Sequence, residues 1–281
     1  MGYRTPRPSG GADLETTWTY DRAVFANWTR HLRHYLGRDL PLEDRHVLEI
    51  GPGPDLGTGL LWLAAGAASY TAVDTHRLVG ARTLPLHRAF AARLGEMCEQ
   101  PGLAQRLASA VEHIDAEEGA LRYLVLNGFD LSSLRGRRYD LVVSHSALEH
   151  LRDVPHSFEQ LSELVTERAH FVAEVDLQTH TRWIRDADPL NIYRYSGGLY
   201  RSLGFCGCPN RVRPDDYMET LERTGWYDLR VYPQRVLDPA YVEAVEPSLC
   251  AKFRGDPERL GWLSIVLCAS RRGERSWAGA K

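Results

Sequence analysis

Residues 46–74, HVLEIGPGPDLGTGLLWLAAGAASYTAVD, constrain the fold more than any other stretch of the chain. A short apolar run, HVLEI, passes at once into Gly51 and Gly53 and then into the helix-like GLLWLAAGA. The segment closes on a second run, SYTAVD, that ends in an acid. A strand leading through a glycine turn into a helix and back to a strand reads as a unit of a parallel sheet. Ligands of open α/β sheets sit at the carboxyl ends of the strands, where a glycine turn exposes backbone N–H groups and no Cβ blocks the approach. Asp74, at the end of the second run, is placed to accept hydrogen bonds from ribose hydroxyls. The same glycines also serve any tight strand-to-helix turn, so the glycine turn alone does not name a ligand.

The rest of the pattern extends the sheet. Trp18, Val24, Trp28, Leu32 and Tyr35 fall at helical spacing over 18–36, with Gly37 as a stop. Residues 75–122 carry two helical patterns, and LRYLVLNGFDL holds a third strand. YDLVVSHS is a fourth strand, ALEHLRDVPHSFEQLSELV a helix broken at Pro155, and AHFVAEVDL a fifth strand. A loop-rich region follows over 178–213, then the helix RPDDYMETLERTGW with Pro214 at its start and Gly225 at its end. YDLRVYPQRV and WLSIVLCAS are the last two strands, with a helical piece near 239–253 between them. The reading is an α/β fold: a mostly parallel, doubly wound, seven-stranded sheet with an antiparallel last strand and helical insertions forming a lid. Residues 1–40 read as a flexible lead and a helix, and 41–281 as one domain with insertions at about 75–122 and 178–213.

Composition narrows the function classes. A net charge of −3, 43% hydrophobic and 25% charged residues describe a soluble globular chain. That balance argues against nucleic-acid or anionic-membrane partners, which need a basic surplus. No apolar run reaches the roughly 18 residues of a membrane span, and MGYRTPRPSGGADLETTW lacks the apolar core of a secretory signal, so the expectation is cytoplasm. Cys98, Cys206, Cys208, Cys250 and Cys268 are scattered, and the lone Cys-x-Cys of FCGCPN is a poor zinc signature. No metal site is expected from it.

Three features bear on the ligand. Glu49 precedes GPGPDLG, giving E-x-G-x-G rather than the G-x-G-x-x-G of dinucleotide folds; an acid there would repel a pyrophosphate and suit a cationic amine. Asp130 in NGFDL lies just past the third strand, placed to accept from an adenine amino group. YDLVVSHSALEHL forms the fourth strand and its exit. From about residue 45 to 176 the ordered motifs resemble the class I S-adenosylmethionine-dependent methyltransferases, close to the group called type 11. The resemblance implies a Rossmann-like fold with S-adenosylmethionine as cofactor and S-adenosylhomocysteine as product. It implies that Glu49, Gly51, Pro52 and Gly53 line the methionine moiety, that Asp74 with Thr75 beside it binds ribose, and that Asp130 reads adenine. Ser144 and His145 would border the methyl group. Asp55 departs from the pattern, standing where the family often has its third glycine, while Gly57 arrives two residues late.

Methyl transfer from a sulfonium is an in-line displacement, and a hydroxyl or ammonium acceptor must also lose a proton to a nearby base. His145, Glu149 and His150 follow the fourth strand, and His180 follows the fifth, all at the ligand-binding edge. His145, Glu149 and His180 are the catalytic candidates. His180 is preferred as base because it lies in a loop beyond a strand end, with Asp176 placed to orient it or hold the loop. Trp183, Tyr193 and Arg211 are the candidate substrate contacts, although a solvated arginine-rich loop with a local aromatic core explains them equally. The reading is methyl transfer to a small-molecule acceptor, with O-methylation ahead of N- or C-methylation and natural-product biosynthesis as a plausible setting. A homodimer stays open. Two rivals remain: a methyltransferase-fold protein that binds the cofactor for another reaction or for regulation, and a nicotinamide-dependent oxidoreductase.

Overall fold

The computed structural model describes residues 13–271 apart from 99, 115, 117, 205 and 206. The expected lead-in over residues 1–12 and Cys206 of the Cys-x-Cys pair lie outside the described residues. In chain order the elements are α1 (Leu14–Leu36), β1 (His46–Ile50), α2 (Gly57–Ala64), β2 (Ser69–Asp74), α3 (Leu84–Met97), α4 (Leu103–Glu112) and β3 (Leu121–Val125). Then come β4 (Tyr139–His145), α5 (Val154–Ser162), β5 (Val165–Asp176), α6 (Arg182–Arg185), α7 (Gly197–Ser202) and α8 (Pro214–Arg223). The chain ends with β6 (Tyr227–Val236), α9 (Pro239–Val245), α10 (Pro257–Leu260) and β7 (Trp262–Ser270).

The seven strands form one sheet in the order β3-β2-β1-β4-β5-β7-β6. Pairing is parallel from β3 through β5, while β7 runs antiparallel to both β5 and β6. This is the doubly wound, mostly parallel sheet read from the sequence, with the last strand reversed. The order changes direction between β1 and β4, which opens a crevice at their carboxyl ends.

Strand periodicity decides which side chains reach that crevice. Val47 of β1, Leu141 and Val143 of β4, Val172 of β5 and Val266 of β7 join one core layer with α1, α2, α3 and α4. Leu48 and Ile50, Val142, Phe171 and Ala173, and Ile265 and Leu267 join the opposite layer with α5 and α8. Successive strand residues alternate between faces, so Glu49, His145 and Glu174 are carried toward the α1 layer. α1 packs there through Trp18, Val24, Trp28 and Leu32, all buried in the first layer. Asp13 caps its first turn by accepting from the Thr16 N–H at 2.8 Å, and Gly37, at φ +70°, stops it.

Two boundaries differ from the sequence pattern. β5 begins at Val165 rather than near Ala169, because exposed Glu167 and Arg168 interrupt its apolar run. The segment after β4 is a single 3-10 turn, Leu148–His150, followed by α5 with Pro155 in its first turn and Asp153 accepting from the His156 N–H.

Candidate active site

The glycine turn leaves β1 with Gly51 at φ +74° and Gly53 at φ +78°. A Cβ on Gly51 would overlap that of Ala147, so its bareness is required by packing against the β4 exit. A Cβ on Gly53 would meet nothing within 4 Å, so this residue faces open space at the strand ends. Asp55, at the family's third-glycine position, accepts from the Gly57 N–H at 3.2 Å, two residues ahead, at the first residue of α2. The Leu56 N–H donates to His87 Nε2 at 3.1 Å, and burial pushes that imidazole down to about 4.

Acids surround this turn. Glu49 is buried, its Oε2 accepting from Thr58 Oγ1 at 2.8 Å and from the Tyr70 hydroxyl. Burial outweighs those bonds and pushes its carboxyl up to about 7. Asp21 of α1 is pushed up to about 10, first by burial and then by neighbouring Asp55 and Glu49. Asp74 ends β2 with Oδ1 accepting from the His76 N–H at 3.0 Å, and burial holds its carboxyl above its ordinary value. Thr75 Oγ1 sits 2.9 Å from His76 Nδ1, and Pro52 is half-buried between the two glycines.

The β4 exit supplies the second wall. Ser144 is fully buried, its hydroxyl donating to the Ile50 carbonyl at 2.8 Å. It staples β1 to β4 rather than facing a ligand, which corrects its expected place beside the methyl group. His145 Nδ1 lies 3.4 Å from Glu174 Oε2, which also accepts from Asn27 Nδ2 at 2.7 Å. Burial tends to raise the Glu174 carboxyl, but His145, Arg235 and His31 hold it below its ordinary value. Ser146 follows at φ +51°, a left-handed conformation that turns the chain sharply after the strand. His145 and Glu174 line a cavity of about 450 Å³ with Tyr20, Val24, Asn27 and Gln234, roofed by α1.

His180 stands in the loop after β5 beside Asp176, but it does not line the cavity that His145 faces. Its Nε2 is buried, 3.7 Å from Asp176 Oδ2, and its ring lies edge-on to His150 with centroids 4.9 Å apart. Glu149 is buried beside them, and burial together with Asp176 and Glu174 raises its carboxyl well above the usual range. Burial and His180 push His150 down to about 4. The structure thus separates the catalytic candidates: His145 faces the cavity beside Glu174, while Glu149 and His180 cluster with His150, Glu149 buried and the two histidines partly so.

Other expected site residues are turned to structural use. Asp130 caps a 3-10 turn, its Oδ1 accepting from the Ser132 N–H at 3.0 Å and Gln160 Nε2 at 2.9 Å. Tyr193 is fully buried in a third core cluster with Ile192, Val242 and Phe253, so it packs rather than meeting a substrate. Arg211 donates to the carbonyls of Ile192 and Tyr195 at 3.1 and 2.7 Å and stacks 3.9 Å above Tyr200, clamping the loop instead of an anion. Trp183 is 71% exposed and lines none of the cavities described.

A protein-family model described as a methyltransferase domain matches residues 20–231. The chain belongs to this methyltransferase family. No curated protein sequence matches it. Among solved structures it is similar to the CurJ carbon methyltransferase, at 14% identity and TM-score 0.48 over 93% of this chain and 59% of that one. The chain therefore spans less than two thirds of that protein. It is also similar to an S-adenosylmethionine-dependent methyltransferase from Mesorhizobium loti, at 14% identity and TM-score 0.47 over 92% of this chain and 100% of the other. Membership sets aside the nicotinamide-dependent alternative and makes S-adenosylmethionine the cofactor of this methyltransferase.

The residues present fit that cofactor. The space at Gly53 admits a ligand against bare backbone. Asp21, Glu49 and Asp55 crowd carboxyl groups around the turn, and burial pushes the first two toward the neutral form; a ligand with an ammonium and a sulfonium would supply the positive charge that lets them ionise. Sequence reasoning missed Tyr20, Asn27 and Glu174 of this methyltransferase. Tyr20 and Asn27 sit on a helix whose partner no periodicity reveals. Glu174 carries a signal in its parity with Val172, which puts it on the α1 face of β5.

Proposed function

We propose that this methyltransferase methylates a hydroxyl of a small molecule held in the cavity under α1, with His145 as general base and Glu174 as its orienting group. The observation that carries this reading is the His145–Glu174 pair at 3.4 Å on the wall of a cavity of about 450 Å³. That size suits a small ligand, and the lining joins apolar Ala23, Val24 and Ala26 to polar Asn27, Arg30 and Gln234. Bound cofactor supplies an electrophilic methyl group on a sulfonium. Glu174 Oε2 lies 3.4 Å from Nδ1 of His145, where it favours the tautomer with Nδ1–H toward the carboxylate and leaves Nε2 to take the acceptor's proton. Asn27 holds Glu174 from above, so α1 sets the geometry of the pair. A positioned base contributes about 10²–10⁴ in rate, and alignment of the nucleophile supplies much of the remainder.

The test is transfer of labelled methyl from S-adenosylmethionine to a panel of small phenols, alcohols and amines, followed by single turnover on the best acceptor. His145→Ala and Glu174→Gln should bind cofactor normally and lose at least tenfold in the chemical step. Near-full rates in both variants, or transfer confined to amines, would refute the proposal.

A further inference from the structure

Glu149, His150 and His180 form a constellation apart from the cavity under α1. Glu149 and His150 come from the turn after β4 and His180 from the loop after β5, and one donor atom of each lies within 4.8 Å of the other two. Glu149 is 2% exposed, and neither of its carboxylate oxygens has a hydrogen-bond partner among the described residues. A bare carboxylate out of water is costly unless a positive charge compensates it. His180 Nε2 is also buried without a hydrogen-bond partner, and at 3.7 Å from Asp176 Oδ2 it is beyond bonding distance. We propose that Glu149, His150 and His180 bind a divalent cation of the kind that imidazole favours, such as Zn²⁺, Fe²⁺ or Co²⁺, rather than Mg²⁺ or Ca²⁺.

Two imidazoles and one carboxylate are a donor set for such cations, and three protein ligands leave positions open for an exogenous oxygen. Metal–ligand bonds of about 2.0–2.2 Å put neighbouring donor atoms about 3–4 Å apart, so closure needs a side-chain shift of about an ångström. The backbone that carries two of the ligands is already fixed. The Asn210 N–H donates to the Glu149 carbonyl at 2.6 Å, and its Nδ2 donates to the carbonyls of Leu148 and Leu151 at 2.9 and 3.1 Å. Glu174 of the His145 pair and Asp176 beside His180 are alternate residues of β5, about 7 Å apart along the strand. The cation thus lies at the same edge of the sheet as the base, outside the lining of the cavity proposed to hold the acceptor, and its binding does not rest on the hydroxyl-acceptor reading above.

The test titrates the chelator-stripped full chain with CoCl₂ and then ZnCl₂, without acceptor. Wild type should take up one equivalent of Co²⁺ with visible ligand-field absorption, release it to Zn²⁺, and unfold at a higher temperature when loaded. Glu149→Gln and His180→Ala should each weaken Co²⁺ binding at least tenfold and lose the thermal increment. The metal-free Glu149→Gln chain should melt no lower than wild type, because an amide of the same shape needs no counter-charge there. Absence of stoichiometric Co²⁺ binding, or an unchanged spectrum in both variants, would overturn the site. A Glu149→Gln chain that does not fold also counts against it, since the carboxylate would then serve packing. Co²⁺ binding without methyl transfer to any hydroxyl would contradict the acceptor reading alone.

Discussion

Trp28 donates its indole N–H to the Ser144 carbonyl at 3.0 Å, tying the N-terminal helix to the tip of β4. Both residues are fully buried. The bond completes the pairing of a strand-end carbonyl and fixes α1 where Tyr20 and Asn27 overhang His145. Trp28 also stacks with Trp62, which packs α1 against the helix that follows the glycine turn.

Trp28→Phe keeps most of the apolar surface and removes that hydrogen bond while Ser144 stays in the sheet ladder. A hydrogen bond of this kind contributes about 0.5–1.5 kcal/mol. The variant should lose that much stability by urea unfolding and bind S-adenosylhomocysteine more weakly by calorimetry. Wild-type values on both would show that the roof is held by other contacts.

The two glycines of the turn should respond differently to alanine. Both pay about 1–2 kcal/mol for a left-handed conformation. Gly51→Ala also drives a methyl group into Ala147, adding about 1–3 kcal/mol of overpacking. Gly53→Ala meets no protein atom, so it should fold nearly normally and fail chiefly in cofactor binding. Thermal unfolding and calorimetry on the pair separate these outcomes; equal stability losses would contradict the assignment of Gly53 to the ligand.

Glu49 makes stability depend on pH in a fixed direction. Its folded carboxyl lies at about 7 against an ordinary 4.5, so folding favours the neutral form. The penalty for ionisation is absent below pH 4.5, grows between 4.5 and 7, and is complete above about 7, where it reaches about 3 kcal/mol. Glu49→Gln stays neutral and can still accept from Thr58 and Tyr70. Without ligand it should therefore be more stable than wild type at pH 8 and nearly equal at pH 4.5. A stability difference that does not change with pH would show that burial leaves Glu49 untitrated in this range.

The sheet was legible because β1, the glycine turn, α2 and β2 each carry a local signature, and because apolar runs mark the buried central strands. β5 was shortened in the sequence because Glu167 and Arg168 sit on exposed positions of its first half. The site was legible only in part. Glu49 and Asp74 stand out beside the glycines, whereas Glu174 hides inside an apolar strand and Asn27 on a helix far away in sequence. Tyr193 and Arg211 misled for the opposite reason: an aromatic and a cation in a loop look available, but the loop folds over its own core. Asp130 carried a second signal in DLSS, where an acid before serine caps a turn.

The most direct measurement of the central claim, that the edge formed by β1, β2 and β4 holds the cofactor, is calorimetric titration of S-adenosylhomocysteine into wild type and Asp74→Ala. Asp74 ends β2 with Oδ1 already engaged by the His76 N–H, and its remaining acceptor capacity is assigned to the ribose hydroxyls. Hydrogen bonds to a charged group contribute about 1.5–3 kcal/mol each, so their loss should weaken binding at least tenfold. The account predicts one equivalent bound by wild type and an affinity at least tenfold lower in a folded Asp74→Ala chain. No binding by wild type, or equal affinity in the variant, would contradict it.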